Sequence, residues 1–306
     1  MPTAADHGSE SPVRALVLGG GSIGLCHRTV LADLGVDVAL VSRRPGVGDY
    51  SDEAGAVEGH QPAYVVVATE AHDHRSALER LRQAGYRGRV LVEKPVSHLP
   101  GGVEVDGFEW VGVGYNLRFH PAVGALRDAL SSDRVLSVQA RVGQHLSGWR
   151  PGRDYRDTVT AGVSGGALLE LSHELDLLAW LVGPTEVERG WAVRTGRLDV
   201  ELDDLAVCVL RLAGGGLASL ELNLLDRWPT RRMVVSGDRS THELDLLAGT
   251  LHRDGELVHP GPVERDRTFA AMHRAALSDG AGVCTVAEAV SVVGQVAELR
   301  RGGTDG

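Results

Sequence analysis

The chain has 306 residues, a length that suits one large or two ordinary domains. Its 43% hydrophobic and 24% charged residues exclude the disordered and fibrous classes of protein. The formal net charge of −10 argues against a nucleic acid or an anionic membrane as partner. No apolar run approaches the length of a membrane span, and residues 1–12 have the polar composition of a loose tail and not of a secretory signal.

Three cysteines, Cys26, Cys208 and Cys284, are far apart and odd in number, and no CxxC motif occurs. This pattern excludes a disulfide framework and a cysteine-rich zinc site, and it predicts a cytoplasmic protein.

The first third of the chain alternates strand and helix signals. Four short apolar runs predict strands, each followed by a helical pattern or a turn, at 15–18, 38–41, 63–69 and 89–92. Continuously apolar strands separated by amphipathic helices are typical of a parallel sheet covered on both faces. We therefore predict an α/β Rossmann domain over residues 1–116.

The pattern changes after Tyr115. Apolar residues at helical spacing predict one helix over 167–182, and Thr285 with Glu288 three residues later forms a capping-box pattern at the start of a last helix ending near Arg300. The rest is dominated by strand signals, at 135–142, 187–193, 205–212, 217–224, 232–236 and 244–251. Residues 117–306 are therefore predicted to form an α+β domain with a large, mostly antiparallel open sheet.

A glycine-rich turn follows the first strand and opens a helix. Gly19, Gly21 and Gly24 are in GxGxxG register, with Ser22 and Ile23 between the last two. In this strand–turn–helix context the motif favours dinucleotide binding, because the helix N-terminus offers free N–H groups to a diphosphate. A glycine-rich loop without a ligand is the alternative interpretation.

The second strand ends in Ser42, Arg43 and Arg44, where enzymes specific for NAD usually carry an acidic residue that binds the ribose. A hydroxyl and two guanidinium groups suit a 2′-phosphate, so we predict a preference for NADP over NAD. The alternative is that both arginines are solvated loop residues.

The fourth strand runs into Glu93, Lys94 and Pro95, which places a lysine at the edge of the sheet where ligands bind. Here the chain resembles the glucose-fructose oxidoreductase / inositol dehydrogenase (Gfo/Idh/MocA) family. The resemblance rests on four segments in order: GGGSIG at 19–24, VEKP at 92–95, GYNLRFHP at 114–121 and GGALLELSHELDLLAWLVG at 165–183.

The resemblance implies that Lys94 is the general acid/base and that His173 points at the reacting carbon. Many members carry Asp four residues before that histidine, where this chain has Leu169. Glu170 is the nearest acid before His173, and we expect it to be a catalytic partner; Asp176 lies at the same spacing after it. A structural histidine is the alternative for His173.

The resemblance also implies further cofactor contacts, at Thr69, His72 and Glu93. His72-Asp73-His74 lacks a third metal ligand, so no metal is expected.

Substrate contacts are expected from the loop after residue 148. Arg150, Arg153 and Tyr155 resemble a subgroup that accompanies the biosynthesis of acidic or nucleotide-activated sugars, and both arginines suit a phosphate or carboxylate. Solvated loop residues are the alternative. Asn116 and Arg118 open the second domain, where they line the floor of the cleft or serve in packing.

Together these features predict an NAD(P)-dependent oxidoreductase that acts on a secondary alcohol or ketone of a sugar. One alternative is a redox-neutral epimerase or glycosidase with tightly bound NAD(P), and another is a non-catalytic NADP-binding sensor. The resemblance also implies a homodimer or homotetramer formed through the open sheet.

Overall fold

The computed structural model describes residues 12–149, 152 and 154–302; most of the predicted tail falls outside this range. Its strands are β1 (Arg14–Leu18), β2 (Asp37–Val41), β3 (Tyr64–Val67), β4 (Arg89–Val92), β5 (Trp110–Val113), β6 (Val135–Gly143), β7 (Thr185–Val193), β8 (Leu205–Leu212), β9 (Leu217–Asn223), β10 (Thr230–Gly237), β11 (Thr241–Asp245), β12 (Thr250–Arg253), β13 (Glu256–His259) and β14 (Cys284–Thr285). Its α-helices are α1 (Ser22–Asp33), α2 (Glu53–His60), α3 (His74–Gln83), α4 (Pro121–Leu130), α5 (Ala167–Glu170), α6 (His173–Val182), α7 (Arg265–Leu277) and α8 (Val286–Gly302).

The first sheet has six strands in the order β14-β5-β4-β3-β1-β2. The pairs from β5 to β2 are parallel, and β14 alone runs antiparallel, against β5. All four residues of β3 are fully buried, as expected for a strand covered by helices on both faces. The predicted Rossmann-type sheet is confirmed, and the carboxyl ends of β1 to β5 meet at one edge.

The second sheet has eight strands in the order β13-β12-β11-β10-β6-β9-β8-β7. One pair, β6 with β9, is parallel, and the other pairs are antiparallel. Burial alternates along β8 between buried and partly exposed residues. One face therefore packs on helices while the other stays open, which confirms the predicted open sheet.

Two predicted elements are wrong in detail. The predicted helix over 167–182 is two helices, α5 and α6, because Leu171 leaves the helical conformation at φ −100° and ψ 21°. Apolar residues on both sides of the break are buried, so the helical spacing of apolar residues in the sequence continues across the break. The predicted strand over 244–251 is a hairpin, since the Asp245 carboxylate accepts from the N–H groups of Leu247 and Ala248 and turns the chain.

The last third of the chain returns to the first sheet. Helix α7 packs on α1, with Phe269 and Met272 in one cluster with Val30 and Leu31. Strand β14 then pairs with β5. The division between residues 116 and 117 stays a prediction, and the packing of α7 and β14 crosses it. No helix in the described part of the chain is long and apolar enough to cross a membrane.

Candidate active site

The glycine turn after β1 has the geometry that a diphosphate needs. Gly19 has φ +111°, and a Cβ there would lie 2.4 Å from the carbonyl oxygen of Ala68. A Cβ on Gly24 would lie 1.8 Å from the Gly19 oxygen, whereas one on Gly21 would meet nothing within 4 Å. Helix α1 begins at Ser22 with Gly21 as an N-cap that offers no side chain, so its first N–H groups have no side-chain cap. This cradle fits a dinucleotide.

The residues after β2 lie beside that turn. The Ser42 hydroxyl accepts from the N–H of Arg44 at 3.1 Å, and the Arg44 guanidinium donates to the carbonyl of Gly20. Arg43 is exposed. Arg44 is therefore held over the glycine turn, while Arg43 extends into solvent at the same edge.

The loop after β3 carries an unsatisfied polar atom. The hydroxyl oxygen of Thr69 is buried without a hydrogen-bond partner, as expected of a group that awaits a ligand. The buried His74 lies behind it, with one ring nitrogen 2.9 Å from the carbonyl of Pro95 and the other 3.2 Å from the carbonyl of Thr69. His72 is exposed, with its Nε2 3.5 Å from Glu70.

Lys94 follows β4 and is the only lysine in the chain, against 30 arginines. Its Nζ donates to the carbonyl oxygen of Glu170 at 2.9 Å and lies 3.7 Å from the Glu170 carboxylate. Arginine keeps its proton under physiological conditions, whereas an amine can exchange one. A single lysine among arginines is thus a sequence signal for proton transfer that the motif alone did not reveal.

Glu93 differs from the prediction that it contacts the cofactor. Its carboxylate is buried, with Oε1 2.8 Å from His27 Nε2 and Oε2 accepting from the backbone N–H of Lys94 at 3.0 Å. Both oxygens are thus bound within the protein, and Glu93 anchors the turn that carries Lys94.

Glu170 ends α5, and its side chain does not pair with His173 as predicted. The carboxylate accepts from the Thr160 hydroxyl at 2.9 Å and faces the Lys94 amine. The break between α5 and α6 explains the difference, because the two residues do not share one helix. Glu170 therefore contacts the site through Lys94 and not through His173.

His173 is the first residue of α6 and is half-buried. The Tyr115 ring meets its imidazole edge-on, with centroids 5.4 Å apart, and its Nδ1 is buried without a partner. Burial, followed by the nearby charges of Arg231 and Lys94, holds the pKa of His173 well below its ordinary value. The imidazole is therefore neutral at neutral pH and has a free ring nitrogen.

Arg231 is a site residue that the sequence did not reveal. It lies on β10, and its guanidinium binds the buried carboxylate of Glu174, the residue after His173, at 2.6 and 2.9 Å. A β-strand arginine in the motif-free second half of the chain carries no spacing signal. The nearest signal in the sequence is its partner Glu174, which directly follows His173.

Asn116 and Arg118 make buried packing contacts. The Asn116 amide donates to the Thr268 hydroxyl at 2.8 Å in a buried contact. The Arg118 guanidinium is 2% exposed and forms ion pairs with Asp176 at 2.6 Å and Glu288 at 3.3 Å. Asp176, expected beside His173, is thereby committed to Arg118. Arg118 therefore joins α6 to α8, and Asn116 binds α7.

Tyr155 is tied to a neighbouring loop. Its hydroxyl accepts from the backbone N–H of Asp199 at 3.1 Å, and its predicted substrate contact stays a prediction. The predicted Arg150 and Arg153 lie outside the described residues.

Comparison with known proteins shows what this chain is similar to. Residues 125–243 match the GFO/IDH/MocA C-terminal domain. The chain is 28% identical over 319 residues to inositol 2-dehydrogenase 2 of Paenarthrobacter aurescens (strain TC1), covering 92% of this chain and 91% of that protein. By these two matches the chain is similar to the GFO/IDH/MocA family.

Solved structures share the fold of this chain. GenD2 from gentamicin A biosynthesis, in complex with NAD, superposes with a TM-score of 0.78 at 22% identity, covering 99% of this chain and 98% of that chain. The WlbA dehydrogenase from Bordetella pertussis, in complex with NADH and UDP-GlcNAcA, gives 0.74 at 18% identity, covering 96% and 97%. The predicted fold class is confirmed, and the predicted family and enzyme class agree with the names of these relatives.

Proposed function

We propose that this protein is an NAD(P)-dependent dehydrogenase that transfers a hydride between nicotinamide and a secondary alcohol or ketone of a sugar, including acidic or nucleotide-activated sugars. One observation carries the proposal: the chain's only lysine lies at the carboxyl end of β4, where its Nζ binds the carbonyl of Glu170 at 2.9 Å. The glycine cradle, the orphaned Thr69 hydroxyl and the neutral His173 support it.

Bound NAD(P) supplies the acceptor for a hydride from the alcohol carbon. In that direction the amine of Lys94 accepts the hydroxyl proton as the carbonyl forms. The Glu170 carbonyl accepts a hydrogen bond from the same amine and so orients it, which makes Glu170 a positioning residue. The neutral His173 can form a hydrogen bond with a substrate hydroxyl through its ring.

Replacing the lysine tests this proposal. Lys94→Met should keep cofactor affinity but lower kcat by about a hundred- to ten-thousand-fold, the usual contribution of positioned proton transfer. Lys94→Arg keeps the charge but cannot exchange the proton, so it should be equally impaired. Turnover is followed at the reduced-nicotinamide absorbance, on a substrate found by screening polyols, uronic acids and nucleotide sugars. Near wild-type turnover in either variant would contradict the role of Lys94.

The preference for NADP is part of the same proposal. Ser42, Arg43 and Arg44 lie where a 2′-phosphate would be held, and Arg44 is already placed over the glycine turn. Replacing Arg43 and Arg44 by Ala should lower kcat/KM with NADP by about 10- to 150-fold, as expected for lost hydrogen bonds between charged groups, and leave NAD almost unaffected. Equal losses with both cofactors, or a wild-type preference for NAD, would contradict it.

We also propose that copies of the chain associate through the open face of the eight-stranded sheet, in the cytoplasm. Trp191 and Val207 are cross-strand neighbours on that face, 49% and 40% exposed. The cysteines within the described residues are free thiols, which supports a reducing compartment.

A further inference from the structure

Four buried side chains form a continuous hydrogen-bonded line beneath the site. Glu93 Oε1 lies 2.8 Å from His27 Nε2, His27 Nδ1 lies 2.8 Å from His273 Nε2, and His273 Nδ1 lies 3.0 Å from the Tyr64 hydroxyl. The two histidines and Tyr64 are fully buried, and Glu93 is 7% exposed. We call these four residues the buried relay. Their polar side-chain atoms bind one another and the backbone N–H of Lys94.

One arrangement of protons satisfies every link of the buried relay. Tyr64 donates to His273 Nδ1, His273 Nε2–H donates to His27 Nδ1, and His27 Nε2–H donates to the Glu93 carboxylate. Each imidazole is then neutral with a single proton. Burial is the largest cause that holds the pKa of His273 well below its ordinary value, in agreement with a neutral ring. If every hydrogen bond of the buried relay ran in the opposite direction, the Tyr64 proton would have no acceptor among the described residues.

The buried relay joins the elements that carry the diphosphate cradle and Lys94, and hydride transfer requires that these be correctly placed relative to each other. His27 lies on α1, whose N-terminus forms the diphosphate cradle, and Glu93 carries the turn that holds Lys94 through the backbone bond of 3.0 Å. His273 comes from α7, which packs on α1 from the far end of the chain. The distance between cradle and amine is therefore set partly by one hydrogen bond, from His27 to Glu93.

We propose that His27 and His273 are positioning residues that hold Lys94 in register with the cofactor cradle, acting through Glu93. The inference rests on the proposed function for its catalytic consequence. A misplacement of about 1 Å costs around a hundredfold in rate when a reacting group must be aligned. A group that acts in this way changes kcat and leaves cofactor affinity almost unchanged.

Lys94 itself provides the reporter, because it is the only lysine of the chain. Untagged protein labelled with ¹³C-lysine gives a single Cε–Hε signal, and that signal reads the surroundings of the amine without any turnover. The variants are His27→Leu, which removes the donor to Glu93, and His27→Gln, whose amide can both donate and accept. Tyr64→Phe is a milder break at the far end if His27→Leu does not fold.

Tyr86→Phe is the matched control. Tyr86 is buried at 4% exposure next to the same sheet, but its hydroxyl donates to the carbonyls of Ala63 and Arg89, outside the buried relay. We expect His27→Leu to shift the lysine signal and lower kcat about 10- to 100-fold with the KM for cofactor nearly unchanged. His27→Gln should restore most of both, and Tyr86→Phe should change neither.

The outcomes separate the two proposals. If the wild-type protein turns over and His27→Leu behaves like Tyr86→Phe, or if His27→Gln is no better than His27→Leu, the positioning role is overturned while the proposed function stands. If the wild-type protein neither binds NADP nor NAD but the lysine signal responds to His27, the proposed function fails and the structural link stands.

Discussion

At the scale of single residues, the site depends on a histidine kept neutral mainly by burial. Burial first, and then the charges of Arg231 and Lys94, disfavour a protonated His173 ring. The buried Glu174 carboxylate balances Arg231. The imidazole can therefore exchange hydrogen bonds with a substrate hydroxyl without carrying a charge of its own.

Removing one of these cations gives a residue-scale prediction. Arg231→Leu takes away a positive charge and leaves the Glu174 carboxylate unpaired, and both changes favour the protonated ring, so the pKa of His173 should rise toward its ordinary value. An NMR titration of the histidine ring signals against pH measures the pKa of His173. Arg232→Leu is the control, since Arg232 binds Asp245 on the open face of the same strand. Identical titrations of His173 in the two variants would contradict the assigned charge effect.

At the scale of elements, two helices carry a glycine for opposite reasons. Gly24 in α1 has no room for a side chain because a Cβ would lie 1.8 Å from the Gly19 oxygen. Gly124 in α4 has open space, since a Cβ there would meet nothing within 4 Å. Glycine at the first site is a packing requirement of the turn, while at the second it only costs helix stability.

These glycines predict opposite results for the same substitution. Gly24→Ala should lower the free energy of unfolding by about 1–3 kcal/mol through overpacking and weaken cofactor binding more than about tenfold, because the cradle must shift. Gly124→Ala should raise the free energy of unfolding by about 0.5–1 kcal/mol and leave binding unchanged. Chemical denaturation and calorimetry with NADP measure both. Wild-type cofactor affinity in Gly24→Ala would contradict the cradle assignment.

At the scale of the whole molecule, the open face of the large sheet is the main surface without a covering layer. It combines apolar side chains such as Trp191 and Val207 with surface ion pairs, including Arg211 with Glu188 and Arg141 with Asp226. Surface pairs of this kind add little stability, so the apolar residues would supply most of the energy of association.

A charge placed on that face should break the assembly. Val207→Glu is expected to convert the oligomer to monomer, because a carboxylate would have to be buried between two sheets. Light scattering coupled to size exclusion gives the mass. Leu99→Glu, at a loop position 54% exposed and away from that face, should leave the mass unchanged. A monomeric wild-type protein, or an oligomeric Val207→Glu variant, would contradict the proposed interface.

Much of the fold was predictable because its signals are local. Strand β8 was predicted at the bounds the structure gives it, and the capping box at Thr285 is present, with Thr285 N–H donating to Glu288 at 2.7 Å. Helices α2, α4 and α7 were missed. Helix α7 does carry buried residues at helical spacing, Phe269, Met272 and Ala276, but its charged first turn obscures the pattern.

The sequence by itself determined the strands β1 to β4, the glycine cradle and the placement of Lys94 at the end of β4, because each depends on neighbours within a few residues. Only the tertiary structure decided the partners of the polar side chains: Glu93 with His27, 66 positions away, and His27 with His273, 246 positions away. Such pairs leave no period or spacing in the sequence. They form because close packing brings distant segments together and a buried polar atom must then find a partner.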